Sequence, residues 1–200
     1  MKSNKNYLSV VLSISAVVIS IFTLYLSKLE PSKITVFTGE DVVIWSEVDI
    51  DRSISFPINF YNTGAELGVI EKIALVIYGP KRKGPYLVEA KYFLNSKNKN
   101  ESPKPIMLPG HDNTLRQITF SGIEDVLKEG KGLYEIIVLI WKDDYDIPIK
   151  SDSFSIVVPQ SDLDSFRNTY QSRTYVISNW ANWKSGYITD PEIISKLPKH

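Results

Sequence analysis

The chain contains no cysteine. Disulfide scaffolds, thiol nucleophiles, iron–sulfur clusters and cysteine-based zinc sites are thereby excluded. Histidine is almost as scarce: His111 and the terminal His200 are the only two, so an imidazole triad or metal cage would rest on His111 alone. Net charge is missing too, with 23 Lys and Arg against 23 Asp and Glu. A dedicated nucleic-acid binder carries a basic face that displaces counterions, and this balance argues against one. The sequence also has no G-x-S-x-G, H-E-x-x-H, P-loop or G-x-G-x-x-G pattern, which removes the commonest signatures of hydrolases and nucleotide enzymes.

Charge is again absent from Tyr7 to Ser27, an uncharged run of 21 residues. At helical rise it extends about 31 Å, matching a hydrocarbon core of roughly 30 Å. A cleaved signal peptide would have a shorter apolar region and a small-x-small cleavage site. This run continues into Lys28-Leu29-Glu30-Pro31 instead. The reading is a single-pass transmembrane helix over 7–27, retained as a signal anchor in the cell membrane, with membrane lipid as its first partner. Tyr7 and Tyr25 stand near its ends, where amphipathic rings favour the interface.

Small residues on the span step by four and three: Ser9, Ser13, Ala16, Ser20, Thr23 and Ser27. That is a heptad stripe, the period that keeps one helix face towards a partner. In lipid, helices associate through close approach at small residues, so a homo-oligomer or a membrane-protein partner is expected on this face. The competing reading is that each hydroxyl bonds back to its own helix. Lys2 and Lys5 on one side balance Lys28 and Lys33 on the other, so the positive-charge rule is tied. A short acid-free tail over 1–6 before a long β-rich domain favours an extracytoplasmic C-terminal domain.

After a juxtamembrane linker over 28–33, the pattern turns to short alternating apolar segments separated by Gly, Pro and Asn. Strands are expected at 34–38, 42–46, 54–60, 70–78, 86–94, 114–120, 132–142 and 153–158. Pro57 implies an edge strand or a bulge, because proline donates nothing to a ladder. Strands at even spacing without crossover helices predict an all-β, immunoglobulin-like antiparallel sandwich over 34–160. Trp45 and Trp141 are expected in its core. The stretch 95–113 reads as one long loop. Residues 161–200 read as a partly helical amphipathic tail, opening at Ser161 and placing Leu163, Phe166, Tyr170, Ile177, Trp180 and Trp183 at helical spacings.

If every strand reversed direction from Ile34 at the bilayer, the loops at 47–53, 79–85 and 121–131 and the tail would return to the membrane. Lys81, Arg82 and Lys83, with Trp180 and Trp183, would then meet lipid headgroups. Fusing 34–46 into one strand inverts that count.

Little remains that could perform chemistry. Glu47, Asp49 and Asp51, and Asp143, Asp144 and Asp146, could invite a hard cation, but neither group matches a loop that converges six or more oxygens. Both read as solvated turn carboxylates, and His111 beside Asp112 reads as a solvated loop histidine. No catalytic residue, cofactor or metal is expected.

The run Leu24 to Val36, then Gly39-Glu40, Pro57 to Ala65 and Gly68-Val69-Ile70, resembles a prokaryotic family of uncharacterised proteins with one N-terminal transmembrane helix followed by an immunoglobulin-like β domain. The likeness covers about the first 80 residues, and more loosely Gly132-Leu133-Tyr134. It implies the same architecture and no activity. Glu30 departs from that group, where a basic residue is more usual. The turn Asn62-Thr63-Gly64 also resembles adhesion-related domains of bacteria and archaea. Together these features point to a membrane-anchored, non-catalytic binding or scaffolding protein. The rivals are an accessory subunit of a larger membrane complex and, behind it, an enzyme with a carboxylate site near His111.

Overall fold

A computed structural model describes residues 3–46, 52–94, 100–142, 147–168, 171–176, 179–180 and 186–187. Both acidic groups, Trp183 and His200 lie outside the described residues, and of Trp180 only the backbone is described. Helix α1 (Ser3–Leu24) passes into one π-helical turn, Tyr25–Leu29. The stretch Tyr7–Leu29 has a mean hydropathy of 2.3 and is not buried anywhere, so it is long and apolar enough to cross a membrane. The helix stops where Pro31 forces the preceding Glu30 into extended conformation, at φ −66° and ψ 121°.

The body is antiparallel β. In chain order the strands are β1 (Ile34–Thr38), β2 (Asp41–Ser46), β3 (Ser53–Asn62), β4 (Gly68–Tyr78), β5 (Pro85–Leu94), β6 (Asn100–Glu101) and β7 (Ile106–Leu108). There follow β8 (Asn113–Ser121), the short helix α2 (Glu124–Leu127), β9 (Gly132–Lys142), β10 (Ile149–Val158) and helix α3 (Gln160–Asn168). Strands β11 (Gln171–Val176), β12 (Asn179–Trp180) and β13 (Gly186–Tyr187) complete the order. All eight expected strands form. The loop expected over 95–113 contains β6 and β7, and the helical tail ends at Asn168. Beyond it, Thr174, Tyr175 and Val176 favour extended backbone and add β11 to the free edge of β2.

One hydrogen-bonded path, β11-β2-β3-β8-β5-β4-β9-β10-β12, runs through the whole module. It makes two layers because β5 belongs to both. Its first half pairs with β4, and from Ala90 it pairs with β8, with a register slip before Tyr92. The open side is closed by contact between β1 and β10 and by α3, whose Leu163 and Phe166 enter the core. The result is nearly a barrel, where two separate sheets were expected. Phe56 of β3 stacks on Phe120 at 5.5 Å and meets Phe154 of β10 edge-on at 5.2 Å, joining the layers through the core.

β4 and β9 are buried on both faces. Their inward residues join the main core, while Ala74, Val76, Leu139 and Trp141 form a second cluster behind it. This accounts for the apolar stretches 73–78 and 136–141, where alternation with polar residues stops. Trp141 is therefore buried outside the main core, and Trp45 is only half-buried, on the outward face of β2.

A second correction decides which end of the module meets the helix. β1 and β2 both run antiparallel to β3, so they share one direction. Gly39 does not reverse the chain. It makes room for Pro57, since a Cβ at Gly39 would lie 2.4 Å from the proline Cγ, and its N–H donates to the Pro57 carbonyl at 2.8 Å. Pro57 thus sits in an interior strand, at the break between β1 and β2, where the ladder misses no donor. Consequently β3 returns to the helix end, β4 leaves it, and the 79–84 turn lies at the opposite end, roughly 33 Å away along β4 at strand rise. Lys81, Arg82 and Lys83 are therefore remote from Lys28, and their expected contact with headgroups at the helix exit does not fit this topology.

Candidate functional site

Three places combine unusual chemistry with defined geometry. The first is the junction between helix and β module, organised by Asn62, the last residue of β3 and 2% exposed. Its Oδ1 accepts from the Lys33 N–H at 3.0 Å and the Gly64 N–H at 3.1 Å. Its Nδ2 donates to the carbonyls of Glu66 at 2.7 Å, Leu108 at 3.1 Å and Pro109 at 3.2 Å. One amide thereby ties the linker to two loops. The Glu30 carbonyl accepts from both Ala65 and Glu66, and Lys142 Nζ donates to the Ser32 carbonyl at 2.5 Å. A side chain at Gly64 would strike the Pro31 carbonyl at 1.9 Å, so only glycine lets the turn approach this closely. The chain thus passes from helix to sheet through a clamp, not a loose tether. His111, at φ 56°, belongs to this scaffold: its backbone N–H donates to Gly64 at 2.9 Å while the residue is exposed.

The second place is the remote turn. Glu129, 1% exposed, accepts the N–H of Lys81 at 2.8 Å and of Lys83 at 3.3 Å, which pins the basic turn. Arg82 is engaged by Glu135 at 2.6 Å and lies 5.9 Å from the Tyr78 ring. Beside them is a shallow cleft of about 180 Å³ lined by Tyr78, Pro80, Arg82, Leu133 and Glu135. Burial and Glu129 push the Tyr134 hydroxyl up to about 12, and burial with a bond to Glu129 raises Tyr86. Burial and a hydrogen bond to Asp162 likewise raise Tyr175.

These tyrosines favour the neutral form in the folded state. Their contribution is complete below pH 10 and is lost as pH rises through the folded values, for Tyr134 between about 10 and 12. A urea titration series should show stability falling above pH 10. Tyr134→Phe should flatten that fall by on the order of 2 kcal/mol. An unchanged slope would contradict the assignment.

The third place is the outward face of the layer built on β3. β3 presents Ser53, Ser55, Pro57, Asn59 and Tyr61 there, and β8 presents Asn113, Leu115, Gln117, Thr119 and Ser121. β1 adds Thr35 and Phe37, the latter edge-on to Tyr61 at 5.5 Å. None of these positions is charged. Ser53 and Ser121 share a hydrogen bond of 2.8 Å, and Ser55 accepts from Gln117 at 2.9 Å and Thr119 at 3.2 Å. Trp45 of β2 and Tyr92 of β5 stand on either side of these small residues. Among the described residues, charges stand at the margin, at Asp41 and at Lys91, whose Nζ lies 5.6 Å from the Tyr92 ring.

Along α1, the hydroxyls of Ser13, Ser15 and Ser20 donate to the carbonyls four residues earlier at 2.8–2.9 Å. They are satisfied within the helix, and the stripe from Ser9 to Ser27 stands exposed. Among the described residues, no three His, Asp or Glu side chains converge in a way that could hold a metal ion. The sequence had signalled neither Asn62 nor the uncharged face. Asn62 was visible only as turn punctuation, and the face needed the register of three strands.

No family model matches the chain, and no curated protein matches it. Two solved structures are similar in part. A protein of Bordetella pertussis provisionally assigned as ApaA is 7% identical, with 75% of this chain and 98% of its own covered at a TM-score of 0.36. A protein from Archaeoglobus fulgidus is 10% identical, with 70% and 97% covered at a TM-score of 0.34. Similarity at these scores carries no argument about fold family or function.

Proposed function

We propose that the protein is a single-pass, membrane-anchored binding module, non-catalytic, with its β domain outside the cytoplasm. The observation that carries this reading is the hand-over at the junction. An apolar helix of membrane length, unburied along its whole course, ends in a linker that Asn62 locks to the β module. A bilayer supplies the cover that the helix does not find among the described residues. The clamp would then hold the module at a set angle above the surface, which suits presentation of a binding face. The two layers sharing β5 support an immunoglobulin-like sandwich whose edges have been drawn together. A second reading, an accessory subunit docking through Ser9, Ser13, Ala16, Ser20, Thr23 and Ser27, is favoured by the exposure of that face, which no described part of the body covers.

Carbonate extraction and detergent phase partition of the full-length chain test the anchor. The chain should stay in the membrane pellet and the detergent phase. Quantitative release into the aqueous phase would overturn the reading.

A further inference from the structure

The clamp fixes how far the β module can stand from the helix. Tyr7–Leu29 runs about 35 Å at helical rise against roughly 30 Å of hydrocarbon, so a spanning helix delivers Glu30 into the headgroup layer, which adds about 5–7 Å on each side. From there the chain has no slack. The Glu30 carbonyl accepts the N–H groups of Ala65 and Glu66, the Pro31 carbonyl abuts Gly64, the Ser32 carbonyl accepts from Lys142, and the Lys33 N–H donates to Asn62. Leu67 directly follows Glu66, which puts its Cα within about 8 Å of the Glu30 carbonyl. Met107 is brought to the same end, because the Asn62 amide that accepts from Lys33 also holds the Leu108 carbonyl.

Both side chains are apolar and open. Leu67 is 54% exposed and Met107 68%, the latter the most exposed large apolar side chain outside the helix among the described residues. Glu66, His111 and Asp112 are exposed at the same end, a mixture of polar and apolar groups that suits the headgroup layer and not the hydrocarbon beneath it. We infer that the β module sits directly on the bilayer, with Leu67 and Met107 entering the lipid headgroups beside the helix exit. Lipid is the occupant because the clamp leaves this end no water layer to stand in. The inference rests on the anchored reading above and gives the module a second membrane contact.

Because the chain has no cysteine, Leu67→Cys, Met107→Cys and Leu133→Cys each supply a single thiol for a fluorophore. Leu133 is 47% exposed, so the protein itself leaves all three positions open. It stands roughly 30 Å from Lys142 along β9, far from the helix exit. The full-length variants are placed one copy per disc in phosphatidylcholine nanodiscs, with part of the lipid carrying a nitroxide on its headgroup, and thermal midpoints check that each keeps its fold. The nitroxide should remove about half of the fluorescence at positions 67 and 107 and leave position 133 unchanged, since only the first two lie at the headgroup layer. On unlabelled thiols, a charged maleimide in the water should react about tenfold more slowly at 67 and 107 than at 133, the open fraction setting the rate. Co-elution with the discs is scored first. Chain that stays aqueous would overturn the anchor and the seating together, whereas chain that co-elutes with positions 67 and 107 as unquenched and as reactive as 133 would overturn the seating alone. Protection that arises only at two copies per disc would assign these side chains to a second chain and likewise overturn the inference.

Discussion

Asn62→Ala should destabilise the β module by about 4 kcal/mol, because it strips hydrogen-bond partners from five backbone groups at a buried position. Some of those groups can reach water after local loosening, which keeps the loss below the sum of five buried bonds. Asn62→Asp discriminates between shape and chemistry. It keeps the acceptor facing Lys33 and Gly64 but turns a carboxylate towards the carbonyls of Glu66, Leu108 and Pro109, so it should be at least as damaging as alanine. Urea denaturation in detergent measures the cost. Amide exchange locates it, and protection at Lys33 and Gly64 should collapse well before protection in β3. If exchange at those amides is unaltered, the clamp does not hold the linker.

Asp152→Ala should cost about 3 kcal/mol, by leaving three donors at the β1–β10 seam without an acceptor. Asp152 is 8% exposed, and its Oδ2 accepts the Thr38 N–H at 2.9 Å and the Thr38 hydroxyl at 2.7 Å, while Oδ1 accepts the Ser153 N–H at 2.8 Å. The residue reaches inward because β10 slips one register between Lys150 and Asp152, which turns a carboxylate towards the core side of the layer. Asp152→Asn retains one carbonyl acceptor and should lose about half as much. Exchange at Thr38 should rise sharply in the alanine variant while Phe120, on the opposite side of the module, stays protected. Equal loosening at both positions would mean that the near-barrel opens as a unit and that the seam is not a separate closure.

These two residues show how far local pattern reaches. Asn62 stands in a turn that punctuation alone marks, and Asp152 looks like one of several solvated acids near the start of a strand. Each also bonds to partners far away in sequence, Lys33 and Leu108 lying 29 and 46 positions from Asn62 and Thr38 lying 114 positions from Asp152. Trp45 makes the same point with an aromatic. Hydrophobicity placed it in the core, but alternation with the buried Val42 and Ile44 puts it on the outward face. The tail misled because Leu163 and Phe166 do follow helical period. Beyond Asn168, the unfilled edge of β2 outweighs any continuation of that period.

By itself the sequence determined the apolar helix, the eight principal strands and their antiparallel character, because each depends on periodicity within a few consecutive residues. That β4 and β9 are covered on both sides emerged only from the packing, which places a second apolar cluster behind the main core. Only the tertiary structure decided that β1 and β2 share a direction, that the basic turn lies away from the helix, and that three strands combine into an uncharged face. Those are choices of neighbour. Pairing energy comes from contacts between segments far apart in the chain, so no window of local pattern contains it.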